Sequence, residues 1–454
     1  MNKPFMFIQA PVATRSGYGA HSRDIVHSLI EMDRFDIQIG SLRWGSCPMN
    51  ALDINNPKDK LILDRITNGQ LTRQPDIGVE IRIPNEYQCI GKYNIGITAG
   101  IETSLVAPEW VDGANRVDLN LVPSQHSKDV FVNTSWEKRN EQTQQSAGLL
   151  KLEKPMEVLF EGTDTDIYKK TNNIPKTLMK EMDSIQTKFN FLYVGHWLKG
   201  SLGQDRKDTG MLVKVFLESF KDLDHPPGLI MKTSGAKFSI MDRNEIMGKI
   251  ESIKATVTAN KLPPIYVLHG DLSDEEMNGL YNHPKVKAHA SLTKGEGFGR
   301  PLLEATISQK PLMTSAWGGQ IDFLDKDLSV LVPGNLTPIH ESAAWDKVIM
   351  KEAKWFTADY GFAANVMKDM FLNYRKYTPG AVSLGIKNKT DFSLNAMTEK
   401  FEKILDKYLP NFSEKINVKL PKLKAIDNSK PIDNKVTKSG LPKLKKVEVS
   451  NATI

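Results

Sequence analysis

The feature that most constrains this chain is a pattern that occurs twice. A short apolar run gives way to a glycine-bearing stretch, then to a helical periodicity, then to another apolar run. The first series begins with FMFIQA at 5–10 and an amphipathic stretch at 21–32, whose Ile25, Val26, Leu29 and Ile30 share one face. Apolar runs follow at 35–40, 93–100, 117–124 and 155–162. After a polar stretch at 171–188 the series restarts with FNFLYVGHW at 189–197, a helix at 211–220 and a strand at 228–235. Strands at 265–270, 286–292 and 311–319 follow, with a helix at 275–283. Strands alternating with helices call for βαβ units and parallel sheets. The expected fold is therefore α/β, with two Rossmann-like domains facing across a cleft. Expected boundaries are 1–170 for the first domain, 171–393 for the second and 394–410 for a closing helix. Helices are expected at 355–371 and 394–409.

The tail from 411 to 454 stands apart. It holds ten lysines and four acidic residues, so it carries all of the chain's net charge of +6, and the other 410 residues balance at fifty of each sign. The string LPKLK occurs in it twice, at 420–424 and 441–445, around a polar, proline-broken spacer. Such a segment is expected to be disordered by itself and to suit an anionic partner. It has one aromatic residue, Phe412, ahead of its lysines, so nucleic-acid contact would be to phosphates. A non-catalytic polyanion- or nucleic-acid-binding protein is thus an alternative reading of the whole.

Two cysteines in 454 residues argue for a reducing compartment and against a disulfide framework. With no apolar run near the ~18 residues that span a bilayer, the expectation is a cytoplasmic protein, with peripheral attachment to an anionic surface as a variant.

The chemistry concentrates in KGEGFGRPLLEATISQKPL, residues 294–312. Gly297 and Gly299 allow close backbone approach, and Pro301 suits a first helical turn. Strand, glycine loop and helix in that order aim backbone N–H groups and a positive helix end at an anion. Glu296 in the loop and Glu304 one turn into the helix can each accept hydrogen bonds from vicinal hydroxyls. Two diol readers around a phosphate site describe a nucleoside diphosphate sugar. The bland alternative is an exposed Glu296 and a Glu304 that merely favours the helix terminus. Gly17 and Gly19, in RSGYGAHS, allow a similar tight turn onto the helix at 21, which would also need glycine with no ligand. TDTD at 163–166 contains Asp-x-Asp but sits where a turn is expected, and the histidines show no metal-ligand spacing. His126 and His196 fall near strand ends facing the expected cleft.

Glu-x7-Glu filled as EGFGRPLLE closely resembles the signature of the retaining GT-B glycosyltransferases of family four, group 1. FLYVGHW followed by QDRKDTGMLVKVF resembles that family's donor-domain opening. GIETSLVAPEW…NLVPSQHSKDVF resembles the acceptor-domain pattern of a subgroup. LFEGTDTDIY resembles the turn before the interdomain linker, and SAWGGQIDF a small-residue loop ending in Asp322. The resemblance spans roughly 5–410. It implies a hexosyltransferase using a UDP-, GDP- or ADP-sugar without a bound metal or other cofactor. Arg206 and Lys207 would bind the donor diphosphate, Glu296 the sugar and Glu304 the ribose. Gly297, Phe298 and Gly299 would line the donor site with Gly17 and Gly19, and Glu102 would orient sugar or acceptor. The acceptor stays open between polysaccharide, lipid-linked, protein and nucleic acid. Three departures are visible: His196 stands where many relatives carry arginine, the loop to Arg206 is longer, and the N-terminal glycine loop reads RSGYGAHS rather than the commoner Gly-Gly pair.

Overall fold

The computed structural model describes residues 3–67, 71–139, 145–235 and 239–412. The lysine-rich repeats, and with them the expectations about an anionic partner, lie outside the described residues. The first half runs β1 (Phe5–Ala10), α1 (Gly17–Glu31), β2 (Asp36–Ser41), α2 (Pro57–Leu63), β3 (Ile77–Ile81), β4 (Tyr93–Ile97), α3 (Pro108–Arg116), β5 (Leu119–Val122) and α4 (Gln125–Asn133). An antiparallel hairpin, β6 (Ser135–Arg139) and β7 (Ser146–Lys151), precedes β8 (Met156–Val158). These strands form one parallel sheet in the order β2-β1-β3-β4-β5-β8.

The second half runs α5 (Lys176–Asp183), β9 (Asn190–His196), α6 (Thr209–Phe220), β10 (Gly228–Ser234), α7 (Ile240–Lys254), β11 (Ile265–Leu268), α8 (Asp274–Asn282), β12 (Val286–Ala290), α9 (Arg300–Ile307), β13 (Leu312–Ser315) and β14 (Val330–Val332). Its parallel sheet has the order β11-β10-β9-β12-β13-β14. A hairpin-like pair, β15 (Gly334–Pro338) and β16 (Lys354–Ala358), then leads to α10 (Tyr360–Leu372), α11 (Tyr374–Asp391) and α12 (Leu394–Tyr408). Two six-stranded parallel sheets with covering helices match the expected GT-B arrangement. In the second sheet the strand order reverses between β9 and β12, and the crevice at such a reversal is where open α/β sheets bind ligands.

Several segments differ from the sequence reading. WFTA begins no helix: Lys354–Ala358 is a strand, and the helix starts after Asp359, whose carboxylate accepts from the Phe362 N–H at 2.9 Å. Trp355 and Phe356, adjacent in the chain, are both buried, as a strand with cover on its two faces allows, and large aromatic residues suit a strand. The polar stretch 171–188 contains α5, which buries Leu178 and Met182. Helix α1 begins at Gly17, four residues earlier than expected, because Ser16 caps it by accepting from the Gly19 N–H at 3.0 Å.

Helix α12 returns to the first half. Thr163 bridges the two chain crossings through its backbone, its N–H donating to Phe392 O at 2.9 Å and its carbonyl accepting from the Leu394 N–H at 3.0 Å. The helix then packs along α1, where Thr398 Oγ1 bonds Ser28 Oγ at 2.8 Å and Arg34 pairs with Asp406 at 2.7 Å. No helix among the described residues is long and apolar enough to cross a membrane.

Candidate functional site

The crevice at the second-sheet reversal is walled by the loop after β9 and the loop after β12. These loops are stitched together: the Lys294 N–H donates to Arg206 O at 2.8 Å, and Arg206 Nη1 donates to Gly295 O at 3.2 Å. The turn that presents Arg206 and Lys207 ends at Asp208, a non-glycine residue in left-handed conformation (φ +49°) and fully buried. Such strain persists only where surroundings fix it. Here Asp208 accepts from Tyr360 OH at 2.7 Å and faces Lys294 Nζ at 3.4 Å, while Asp205 accepts from the Thr209 N–H at 3.0 Å. Lys294, 1% exposed, also donates to Thr357 Oγ1 at 3.0 Å. Lys294 and Asp208 were not singled out from the sequence; a lysine at the buried end of an apolar run was the available signal.

Four expected site residues meet directly. Lys207 Nζ lies 2.5 Å from Glu296 Oε1, and Arg206 Nη1 lies 3.6 Å from Glu296 Oε2. Arg206 also reaches across to the first half, 3.3 Å from Glu102 Oε1. Glu296 is buried rather than exposed. Burial pushes its carboxyl up, but Lys207 and Arg206 outweigh that and hold it below the ordinary range. It is therefore an anion with a fixed orientation.

The glycine loop is pressed against the first half. A Cβ on Gly297 would stand 2.2 Å from Ala99 O, and one on Gly295 1.9 Å from Glu102 O. Ser124 Oγ donates to Gly297 O at 2.6 Å. Gly299, at φ +96°, turns the chain into α9. The Phe298 side chain points away from the polar cluster, into Phe323 and Phe392 at 5.1 and 6.4 Å between ring centroids. Only its backbone is left for the donor-lining role expected of it. Asp322 accepts from the Gln125 N–H at the start of α4, at 2.8 Å, and His126 meets the edge of Trp317 at 4.4 Å. Burial lowers His126 to about 4, so it is neutral at pH 7.

Glu304 is buried behind the loop and engaged by protein: Arg300 Nε donates at 2.9 Å and Tyr281 OH at 3.2 Å. A carboxylate has about four acceptor positions, so each oxygen keeps capacity for a hydroxyl. Arg300 in turn pairs with Asp24 of α1. Gly19 is demanded by geometry, since its Cβ would lie 2.2 Å from Thr14 O, whereas Gly17 has open space and an ordinary helical start. Tyr18 between them bonds Thr98 at the end of β4 at 2.8 Å. His196 Nδ1 pairs with Ser234 Oγ at 3.1 Å. Asp164 of TDTD organises a turn, accepting from the Asp166 N–H at 3.0 Å and pairing with Lys58 at 2.7 Å. Among the described residues no cluster of three or more His, Cys, Asp or Glu could hold a metal.

Glu161, beside the crossing to the second half, is 7% exposed. Burial raises its carboxyl from 4.5 to about 7; Arg300 opposes this, while Asp24, Glu304 and Glu296 reinforce it. A raised folded-state value means that the folded protein binds the extra proton between these limits. Stability should therefore be fullest below about pH 4.5 as regards this group and fall as pH rises through 7, by about 3 kcal/mol. Glu161→Gln is expected to raise the melting midpoint at pH 8 and to flatten its decline between pH 5 and 7. Parallel wild-type and mutant melts across that range would refute the assignment.

Solved structures of similar fold are GT-B glycosyltransferases. HepE of Anabaena, solved with UDP and glucose, matches with a TM-score of 0.56 at 14% identity, over 89% of this chain and 100% of its own. A glycosyltransferase of Rickettsia africae matches with 0.56 at 16%, over 91% and 100%. Sucrose-phosphate synthase of Thermosynechococcus elongatus matches with 0.58 at 12%, over 89% and 99%. No family model and no curated protein matches the sequence. At such identities the likeness establishes the GT-B fold.

Proposed function

We propose that this chain is a glycosyltransferase that moves a sugar from a nucleoside diphosphate sugar to an acceptor hydroxyl with retention of anomeric configuration. Residues 1–170 would serve as acceptor domain and 171–393 as donor domain. The observation that carries the reading is the convergence of Glu102, Arg206, Lys207 and Glu296 at the strand-order reversal, with glycine-loop amides beside them. HepE's complexes with UDP and with UDP-glucose make a UDP-sugar the first donor to test.

In this reaction the bond from the anomeric carbon to the β-phosphate oxygen breaks, and a bond to the acceptor oxygen forms on the same face. The acceptor's proton passes to the departing phosphate. Charge grows on that phosphate, and Arg206, Lys207 and the Gly297–Gly299 amides would stabilise it; such fixed donors act most strongly in a dry, preorganised site. Glu296, held by Lys207, would orient the sugar hydroxyls, Glu304 the ribose, and Glu102 the acceptor side. The contact of the two glycine-lined backbones would exclude water from the donor.

The test is a thermal-shift panel of UDP-, GDP- and ADP-glucose on wild type and Glu304→Ala. A ligand at a hundred times its Kd adds about 2.7 kcal/mol. One nucleotide sugar should raise the wild-type midpoint by a few degrees and leave the variant unmoved. A wild type insensitive to all three overturns the donor assignment.

A further inference from the structure

A pocket of about 480 Å³ opens between the two halves, away from the charged cluster. One wall is the start of α3 and the β6–β7 hairpin, with Glu109 and Trp136. The other is the segment joining β15 to β16, with Asp346, Lys347, Lys351 and Glu352. The Trp136 indole N–H is spent on Val106 O at 2.9 Å, and its half-buried ring packs on the cluster of Ile101, Val106 and Phe131 while its remaining surface lines the pocket. Trp345 is 57% exposed between the wall residues Ala344 and Asp346.

Both walls run directly to the cluster. Glu102 and Ala107 are five residues apart, at most about 18 Å of extended chain. On the other side, the Phe356 N–H donates to Lys294 O at 2.8 Å, next to Gly295 and Glu296. The walls are also tied to each other, by Lys347 to Glu109 at 3.3 Å and by Ser104 N–H to Lys354 O at 2.8 Å. Three carboxylates and two ammonium groups line the space, a net charge near zero with many acceptors and donors of hydrogen bonds. An anionic ligand gains nothing here. A flat apolar ring flanked by paired charges suits a ligand with apolar C–H faces and hydroxyl edges.

We propose that this pocket is an extended acceptor subsite for a neutral oligosaccharide, whose far residues stack on Trp136 while its end reaches Glu102. This rests on the glycosyltransferase reading and narrows its acceptor to an uncharged saccharide of more than one unit.

The test follows tryptophan fluorescence of the full chain on titration with maltotriose, cellotriose, triacetylchitotriose and, as an anionic control, trigalacturonate. At least one neutral trisaccharide is expected to bind saturably, Trp136→Ala to weaken it tenfold or more, and Glu352→Ala, at an exposed position on the opposite wall, about threefold. The midpoint shift produced by the nucleotide sugar should be unchanged in both variants, which separates this subsite from the donor site. Glu352→Ala carries the test should Trp136→Ala prove unstable. Binding of none of the neutral sugars, preference for trigalacturonate, or unaltered affinity in the variants overturns the proposal.

Discussion

Lys207→Ala is expected to cost about 3–5 kcal/mol of stability and to depress turnover by 10²–10³-fold. The stability loss follows from burial: Lys207 is the nearest cation to Glu296, at 2.5 Å, and Arg206 at 3.6 Å is shared with Glu102. Removing one member of a buried pair leaves an uncompensated charge. The rate loss follows from the proposed role, since one fixed donor at developing charge is worth roughly that factor. The two effects can be separated. In Lys207→Ala/Glu296→Gln no carboxylate is stranded, so stability should return to within about 1 kcal/mol of wild type while activity stays low. Melting midpoints and release of nucleoside diphosphate from the responding sugar nucleotide read both. A double variant that regains turnover as well would make the pair structural only.

Gly297→Ala should abolish most activity by a different route. The new methyl would sit 2.2 Å from a backbone oxygen of the other half, and no side-chain rotation can relieve it. Either the loop shifts or the halves part, and the Ser124 bond to Gly297 O is lost. A displacement near 1 Å at a reacting centre can cost about 10²-fold, so turnover should fall at least that far. Small-angle scattering should show a larger radius of gyration if the halves part. Gly248→Ala is the control: nothing lies within 4 Å, and a helix interior favours alanine by roughly 0.5–1 kcal/mol. Wild-type turnover in Gly297→Ala would show that this contact does not matter to the reaction.

How far the sequence could be read depended on the range of the forces involved. FMFIQA forms Phe5–Ala10 as its buried run dictates. Ile77–Ile81 escaped notice, although it lies between β1 and β4 and all five residues are buried, because a glycine and a glutamate interrupt a five-residue run. Helix α11, Tyr374–Asp391, carries Pro379 inside and has too weak an apolar stripe to be read. At the site, Glu296, Arg206, Lys207 and Glu102 could be picked out one by one. That Arg206 would touch Glu102 of the other half, or that Ser124 would hold Gly297, could not, since such pairs depend on how two sheets face each other. Glu304 illustrates the limit in another way. Its helix position was legible, but its ties to Arg300 and Tyr281 were not.

The return of α12 to the first half bears on how this protein can be taken apart. The chain crosses between halves twice, near 163 and near 393, and the crossings are bonded to each other. A single proteolytic cut at the first crossing would thus leave two fragments with no covalent bond between them, still held together by α12, which belongs to the second fragment but packs on the first. A fragment ending near residue 170 would lack the helix that packs along α1 and would uncover the α1 face around Ser28, inviting aggregation. Grafting 394–408 onto its end is the modification most apt to make that half expressible alone, and exchange of N-terminal halves between proteins of this fold would need to carry that helix with them.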